Sequence, residues 1–467
     1  MKKTRVLILG GGFGGLYAAL EFERRGDPDF EITLISQENF FLFTPMLHEV
    51  AASDLDVTHI VNPIRKMLRN VRFFEGEVQS VHLAERRAVV AHGFDRHTHS
   101  LEYDHIVFGL GCVTNFYNIP GLKERALTMK SLGDAIALRN HLIEHLEEAG
   151  TDCAEKDRVA LLTFVVAGGG FAGVETTGSI NDLLKEALPY YPNLKPEMLR
   201  AILVHPGDFV LPELGEELGR YASRKLAERG VEIRPNTRVK AVTTKEVELT
   251  DGTRIDSFTL VWTAGTSPHP LLNQLDLPKE HNRLKVNAGM GIKDHPGVWA
   301  LGDCAMIPDE QGGYQPPTAQ HASREGKVLA HNIVASARGE ALRPFRFKTL
   351  GLLASIGRRT GVARILGINF SGFVAWWLWR TIYLLKLPRL EKKLRVALDW
   401  TLDLFFTKDF VQYLHGRSPT IDDVSTAHSS NAVTEASRPR FSKVNQAETA
   451  WLPQDGPRPL PSTNACK

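Results

Sequence analysis

Two glycine-rich stretches decide the fold, and the first is Val6-Leu7-Ile8-Leu9-Gly10-Gly11-Gly12-Phe13-Gly14-Gly15. The second repeats the pattern in mid-chain as Thr163-Phe164-Val165-Val166-Ala167-Gly168-Gly169-Gly170-Phe171-Ala172-Gly173. Each is an apolar strand that ends in GxGxxG and runs into a helix-forming segment, with a further apolar strand behind it. Because the motif indicates dinucleotide binding only in that context, the chain is predicted to bind two dinucleotides, or one beside a decayed second site.

The glycines of the motif have separate physical roles. The first allows a tight turn, the second lets backbone approach a pyrophosphate, and the third allows helix and strand to pack closely. The helix N-terminus then offers unpaired N–H groups to the phosphates. The turn glycines are Gly10 and Gly168, and the glycines that let the pyrophosphate approach are Gly12 and Gly170. The glycines at the contact between helix and strand are Gly15 and Gly173.

Length and composition bound the class of protein. The chain has 467 residues, and at about 150 residues per domain this suggests roughly three domains. Hydrophobic residues make up 43% and charged residues 24%, which excludes whole-chain disorder and a polytopic membrane protein. The formal net charge is only +2, so the protein as a whole lacks the positive charge that would attract nucleic acid, and no nucleic-acid partner is expected.

Cysteine usage and the first residues indicate a compartment. Cys112, Cys153, Cys304 and Cys466 lie far apart and include no CxxC pair. This argues against a disulfide framework, a zinc site or a redox dithiol, and it favours a reducing compartment. The first apolar run is too short for a signal peptide. We therefore expect a protein of the cytoplasm or of the cytoplasmic side of the cell membrane.

Short alternating strands over about residues 71–105 predict a small β-sheet inserted in the first domain. Its histidines could be metal ligands or the rim of a hairpin exposed to water. We favour the rim and predict no metal site. The histidines concerned are His92, His97, His99 and His105.

Three later strands end in small or acidic residues. One ends at Gly111 and another at Ala264-Gly265, endings that suit a chain passing beside a bound cofactor or crossing between domains. The third ends at Gly302-Asp303. A carboxylate there could accept a hydrogen bond from a polyol hydroxyl, or the residues could form an ordinary turn.

The order of these motifs resembles that of flavoprotein reductases with two dinucleotide-binding domains. Three segments are more specific: residues 39–47 (NFFLFTPML), 167–175 (AGGGFAGVE) and 316–322 (PPTAQHA). Together they resemble the type II, non-proton-pumping NADH:quinone oxidoreductases, also called alternative NADH dehydrogenases, over about residues 5–412. The resemblance implies an enzyme with FAD in the first domain and NADH or NADPH in the second, passing electrons to a quinone.

Matching positions imply a set of site residues. Those around FAD are Gly10, Gly12, Phe13, Gly14 and Gly15 at the pyrophosphate, Thr44 and Pro45 near the isoalloxazine, Val78 near the adenine and Asp303 at the ribityl chain. Those around the NADH pyrophosphate are Gly168, Gly170, Phe171, Ala172 and Gly173. The catalytic candidates are Glu175, near nicotinamide and flavin, and Gln320, on the quinone side. Glu175 could equally be a first-turn carboxylate stabilised by the helix dipole.

The sequence departs from the family pattern at both ribose sites. The acid expected at the end of the second strand of the first domain is replaced by Ser36 here, which leaves Ser36, Gln37 or Glu38 for the FAD ribose. The matching place in the second domain is His205-Pro206-Gly207-Asp208, with neither an obvious acid for NAD nor an arginine for NADP. The sequence therefore favours NADH only weakly.

A third departure concerns the electron acceptor. The family's second glutamine, four residues after Gln320, is Arg324 here. Three other functions remain open on sequence alone. A sulfide:quinone oxidoreductase needs a cysteine pair at the flavin, which Cys112 and Cys304 are not shown to form; a soluble NAD(P)H-dependent flavoprotein reductase and a non-catalytic redox sensor or interaction protein are the others.

The C-terminal region carries two apolar segments. Residues 366–387 are mostly apolar and rich in tryptophan, but Arg380 near the middle would cost about 2.5–3.5 kcal/mol in a bilayer. After Pro388, a basic start and Leu398, Leu402 and Phe405 at helical spacing predict an amphipathic helix. Docking on a membrane surface is favoured over packing on the body, a dimer contact or spanning.

The whole chain is predicted to be α/β, with two Rossmann-like dinucleotide-binding domains, an inserted small β-sheet and a C-terminal amphipathic helical membrane-docking region. The predicted parts are 1–120 and 276–340 for FAD, 121–275 for NAD(P)H, 341–416 for membrane docking and 417–467 as a disordered tail. A homodimer is possible.

Overall fold

The computed structural model describes residues 3–151 and 155–413. The predicted tail, Cys153 and Cys466 lie outside these residues. The helices are α1 (Phe13–Arg25), α2 (Leu47–Ala51), α3 (Ile64–Met67), α4 (Leu122–Arg125), α5 (Leu132–Ala149), α6 (Arg158–Leu161), α7 (Phe171–Ala187), α8 (Glu216–Glu228), α9 (Ala319–Ala337), α10 (Gly372–Lys386) and α11 (Leu390–Leu402).

The strands are β1 (Thr4–Leu9), β2 (Phe30–Ser36), β3 (Phe40–Leu42), β4 (Val61–Pro63), β5 (Arg72–Glu75), β6 (Glu77–His82), β7 (Arg87–His92), β8 (His97–Glu102), β9 (His105–Phe108), β10 (Cys112–Thr114), β11 (Leu127–Thr128), β12 (Thr163–Ala167) and β13 (Arg200–Val204). Those that follow are β14 (Val231–Arg234), β15 (Val239–Val242), β16 (Glu246–Leu249), β17 (Arg254–Asp256), β18 (Thr259–Trp262), β19 (Thr266–Pro268), β20 (Lys279–Glu280), β21 (Arg283–Lys285), β22 (Val298–Ala300), β23 (Ala305–Met306), β24 (Gly351–Ser355), β25 (Gly361–Ile365) and β26 (Ile368–Ser371).

The first glycine motif follows a parallel sheet in the order β22-β9-β1-β2-β5. β1 lies between β2 and β9, with Leu9 opposite Ile35 on one side and Phe108 on the other. Helices cover a parallel sheet on both faces, so its central strands are apolar along their whole length. The strand β22 completes this sheet although it follows the second motif in sequence.

The second motif follows a parallel sheet of the same kind, in the order β11-β18-β12-β13-β14. Its central strand β12 is buried at every residue. The two sheets and their helices confirm the predicted α/β class with two Rossmann-like folds. The described residues form a single compact unit, and the predicted domain boundaries stay predictions.

Each Rossmann-like half carries an inserted antiparallel sheet. In the first half this sheet is β6-β7-β8, which lies within the predicted range. His92 and His97 are exposed on it, and the described residues contain no group of three or more His, Cys, Asp or Glu side chains arranged to hold a metal ion. The second half has β15-β16-β17 at the equivalent place between β14 and β18, an insertion that the sequence analysis missed.

The C-terminal region consists of the antiparallel sheet β24-β25-β26 followed by α10 and α11. The apolar segment 366–387 is therefore not one helix: it includes the strand β26, and α10 starts only at Gly372, whose φ is +68°. Among the described residues, no helix has the length and apolar character needed to cross a membrane.

Candidate functional site

The two glycine loops have the same geometry. The turn glycines Gly10 and Gly168 have φ of +105° and +120°, a region that favours glycine. At the packing position, a Cβ on Gly15 would lie 1.9 Å from the Gly10 carbonyl oxygen, and one on Gly173 would lie 1.7 Å from the Gly168 oxygen. Only glycine allows the helix to lie this close to its strand.

The second glycine of each motif faces open space. A Cβ at Gly12 or Gly170 would meet no atom within 4 Å. Gly12 caps α1 and Gly170 caps α7, and neither helix has a side-chain hydrogen bond at its N-cap. The N-terminal N–H groups of both helices are thus available to an anion, so both loops fit a dinucleotide pyrophosphate.

Residues at the end of the second strand of each half, or directly after it, contact the glycine loop. A Cβ on Gly11 would lie 2.7 Å from the Ser36 hydroxyl. Glu38 is exposed in the same turn. In the second half, the Gly169 N–H donates to His205 Nδ1 at 3.1 Å, and burial lowers the pKa of His205. The neutral imidazole of His205 therefore holds the loop that precedes α7.

The predicted crossing residues lie where the chain passes between the two sheets. β10 and β19 pair antiparallel, with Cys112 opposite Pro268, directly after Gly111 and Gly265. The Asn115 N–H donates to the Gly265 carbonyl at 3.1 Å. The chain therefore crosses between the two sheets at Gly111 and at Gly265, and the expectation that these residues also pass beside a bound cofactor stays a prediction.

Asp303 lies beside Gly111 and both described cysteines. Cys112 Sγ donates to Asp303 Oδ2 at 2.9 Å, and Cys304 Sγ donates to the Gly111 carbonyl at 3.4 Å. Both thiols are free. Burial raises the pKa of Cys112, and it raises the pKa of Cys304 to about 12. These neutral thiols are poor nucleophiles, which disfavours sulfide chemistry here.

The remaining candidates around the first loop lie on several elements. The Phe13 ring contacts the Phe41 ring edge-on, with centroids 4.9 Å apart. Thr44 is exposed and Pro45 half-buried in the turn before α2, and Val78 is half-buried on β6. Around the second loop, Phe171 is half-buried and Ala172 exposed in the first turn of α7.

Gln320 joins α9 to the C-terminal sheet. Its Nε2 donates to the Gly351 carbonyl at 3.2 Å, and Arg324 donates to the Gln320 backbone carbonyl at 2.8 Å. The Arg324 guanidinium lies 4.1 Å from the centre of the Phe347 ring. Gln320 is thus held at the start of α9, next to a cation in place of the expected glutamine.

Glu175 is buried between α7 and the C-terminal region. Its Oε1 accepts from the Ser355 N–H at 3.2 Å and from Trp379 Nε1 at 3.0 Å, and His48 Nδ1 lies 3.7 Å from Oε2. Burial raises the pKa of Glu175 to about 8. The first turn of α7 contains no acidic residue, so the alternative of a first-turn carboxylate is wrong.

A second buried carboxyl, Glu49 on α2, was missed by the sequence analysis. It accepts from Trp400 Nε1 at 3.1 Å, and Arg380 lies 4.0 Å away. Burial raises the pKa of Glu49 to about 8. The Arg380 guanidinium lies between the Trp376 and Trp400 rings, 4.3 and 4.6 Å from their centres. Arg380, which would be costly in a bilayer, therefore has partners within the protein.

Comparison with known proteins agrees with this geometry. The family model of the pyridine nucleotide-disulphide oxidoreductases matches residues 4–326, and that of the NDH2 C-terminal domain matches residues 350–409. A probable NADH dehydrogenase of Dictyostelium discoideum is 32% identical over 421 residues, covering 88% of this chain and 92% of the relative. The type II NADH:quinone oxidoreductase Ndh of Mycobacterium tuberculosis is 32% identical over 424 residues, covering 87% of this chain and 89% of the relative.

Solved structures agree on the fold. NDH2 from Plasmodium falciparum in complex with NADH matches with a TM-score of 0.82 at 19% identity, over 88% of this chain and 100% of that chain. The sulfide:quinone oxidoreductase from Aquifex aeolicus matches with a TM-score of 0.65 at 18% identity, over 86% of this chain and 95% of that chain.

Two glycine loops that each fit a dinucleotide, in halves joined by the paired strands β10 and β19, define an oxidoreductase that binds two nucleotides. The chain belongs to the pyridine nucleotide-disulphide oxidoreductases and, within them, to the type II NADH:quinone oxidoreductase family. The resemblance drawn from the sequence is confirmed.

Substitutions in the glycine loops separate binding from folding. Because Gly12 and Gly170 have φ of −74° and −79° and open space at Cβ, Gly12→Val should fold without FAD. Gly170→Val should keep FAD but lose NADH binding. Flavin absorbance and NADH titration measure these outcomes.

Two further glycine variants are the controls. Gly15→Ala should lower the melting temperature, since its Cβ would overlap backbone. Gly133→Ala, with no atom nearer than 3.6 Å, should keep the fold and both ligands. A Gly12→Val protein that purifies fully loaded with FAD would contradict the assignment of the first loop.

The two buried carboxyls make stability depend on pH. Their folded pKa values of about 8 exceed the ordinary 4.5, so the folded protein binds more protons between these limits. The free energy of unfolding should therefore fall as pH rises from about 4.5 to about 8. Urea unfolding at a series of pH values measures this free energy. Glu49→Gln and Glu175→Gln should each make the free energy of unfolding fall less steeply with pH, whereas Glu228→Gln, on the exposed face of α8, should leave its pH dependence unchanged.

Proposed function

We propose that this chain oxidises NADH and passes two electrons through FAD to a membrane quinone, without pumping protons. The observation that carries the proposal is the pair of glycine cradles with matching geometry, one in each half. The family match extends beyond these halves to residues 350–409. That extension favours a quinone reductase over a soluble flavoprotein reductase.

FAD, when bound, supplies the hydride-accepting and electron-passing chemistry. The chain's part is to hold the two nucleotides in place and to exclude water. The residues proposed to hold FAD are Gly10, Gly12, Phe13, Gly14, Gly15, Ser36, Glu38, Thr44, Pro45, Val78, Gly111 and Asp303. Those proposed to hold NADH are Gly168, Gly170, Phe171, Ala172, Gly173, His205, Ala264 and Gly265.

Glu175 and Gln320 are proposed to act on the reacting groups. Glu175 is protonated at pH 7 because burial raises its pKa to about 8, so it can donate a proton. Gln320 is proposed to bind a quinone carbonyl or flavin carbonyl through its side-chain amide, which the contact with Gly351 orients. Arg324, four residues later, adds a positive charge on the acceptor side.

NADH is proposed as the preferred donor. His205 Nδ1 already accepts from Gly169, and the nearby Arg234 forms an ion pair with Glu232. His205 is neutral and so offers no cation to the 2′-phosphate of NADPH, and Arg234 would have to share its charge with Glu232 to bind one.

Anaerobic mixing tests the reaction. NADH should bleach the flavin absorbance, and a water-soluble quinone added afterwards should restore it. Glu175→Gln should lower quinone turnover, since an amide is too weak an acid to give up a proton. A flavin that stays oxidised under excess NADH would contradict the proposal.

Peripheral membrane docking is proposed for the C-terminal helices. On α11, Leu390, Leu394, Leu398 and Leu402 are 44–70% exposed and share one face. Phe405 continues this apolar surface and is 77% exposed. Such a face suits the interface of a bilayer. The cytoplasmic side of the membrane and a homodimer stay predictions from the sequence.

Cosedimentation with anionic lipid vesicles tests docking. The double substitution Leu394→Glu and Leu398→Glu should abolish vesicle binding while turnover with a water-soluble quinone is retained. Phe94→Glu, at a fully exposed phenylalanine between β7 and β8, is the matched control and should bind like the native chain. Equal vesicle binding by all three proteins would rule out this surface.

A further inference from the structure

A small cavity lies between α2, α7, α10 and the segment after α11. Its volume is about 30 Å³, and a single water needs only about 10–15 Å³ of such space. The residues that line it and can carry charge or a proton are His48, Glu49, Asp54, Asp182, Glu186, Arg358, Arg359, Arg380, Asp403 and Lys408.

Three buried polar atoms on the cavity residues have no protein partner. They are His48 Nε2, Arg380 Nε and Asp403 Oδ2. A buried polar atom without a hydrogen bond costs about 1–3 kcal/mol, whereas water in a polar cavity can satisfy several such atoms. The shared cavity therefore suits a short chain of water between these side chains.

His48 connects this cavity to Glu175. Its Nε2 is the unpartnered atom, while its Nδ1 lies 3.7 Å from Glu175 Oε2. Desolvation lowers the pKa of His48 to about 3, so the ring is neutral. A neutral imidazole can accept a proton at one nitrogen as it gives one up at the other.

The proposed reaction needs a proton from solution. It balances as NADH + H⁺ + quinone → NAD⁺ + quinol, so one of the two protons of the quinol comes from outside the nucleotide. Glu175 is buried, so a proton that it gives away must be replaced through its neighbours.

We propose that the cavity and His48 form a proton-uptake route that recharges Glu175, with Asp403 at the outer end and Glu49 beside the cavity. This inference rests on the proposed role of Glu175. His48 is a positioning and relay residue in this route. Asp403 is half-buried and is followed by the exposed Leu404, so the route starts next to the apolar surface proposed to dock on the membrane.

The other charges around the cavity are engaged in pairs. Lys408 pairs with Asp54 at 2.8 Å. Asp182 pairs with Arg229 and accepts from the Arg358 N–H at 2.6 Å. Glu186 lies 3.5 Å from Arg358. Arg359, on the same loop, is exposed. The groups left to carry a proton are His48, Glu49 and Asp403.

The test uses His48→Phe, which keeps an aromatic ring against Trp379 but removes both ring nitrogens. In the native protein the centroids of the His48 and Trp379 rings are 5.4 Å apart. The control is His59→Phe. His59 pairs with Asp399 and so also joins α11 to the body, but it does not line the cavity.

The first readout needs no turnover. The resting, flavin-loaded enzyme is diluted into D2O, and the infrared C=O band of protonated Glu175, assigned by its loss in Glu175→Gln, is followed over time. We expect exchange at least tenfold slower in His48→Phe and native-like in His59→Phe. Exchange as fast in His48→Phe as in the native chain would overturn the proposal.

The second readout is the reaction itself. Quinone turnover in His48→Phe should fall by about 100-fold, while anaerobic reduction of the flavin by NADH stays within twofold. Native turnover in His48→Phe would also overturn the proposal. If that variant does not fold, Glu49→Gln replaces it, and unchanged exchange and turnover there count against the route. A native enzyme that fails to reduce quinone would refute the proposed function and leave the exchange result standing.

Discussion

The close contact between a helix and the strand before it is the constraint on which the rest depends. At Gly15 and at Gly173, any side chain would overlap the carbonyl of the turn glycine. This contact aims the N-terminus of α1 and of α7 at the carboxyl edge of its sheet, where ligands of open α/β folds bind. Gly111 and Gly265 then carry the chain between the two sheets at that edge.

The features that the sequence predicted well are local. The glycine motif, the apolar strand and the following helix lie within a few turns of each other, so their pattern is visible in a short window. The same holds for β6-β7-β8. The second inserted sheet was not predicted, because β15, β16 and β17 are only three or four residues long.

The burial of Glu49 and Glu175 could not be predicted from the sequence, although the family resemblance had singled out Glu175 as a catalytic candidate. Glu49, Glu175 and their indole partners are separated by up to several hundred residues, and no spacing rule connects them. Glu49 in particular looks like an ordinary residue of a short helix. Arg380 was predicted to be costly in a bilayer, but the contacts with Glu49, Trp376 and Trp400 explain it within the protein. Amphipathicity, in turn, predicted α11, and the membrane contact favoured for its apolar face stays a prediction.

The orientation of α11 connects the apolar surface proposed to dock on a membrane with the two buried carboxyls. A surface helix usually buries its leucines, yet α11 exposes four of them and buries Val396 and Trp400 instead. Trp400 donates to Glu49, as Trp379 on α10 donates to Glu175. The helices that present an apolar face outward thus also hold the two buried carboxyls. A charge on either carboxyl above pH 8 would weaken that packing from within, because each would then be a buried anion.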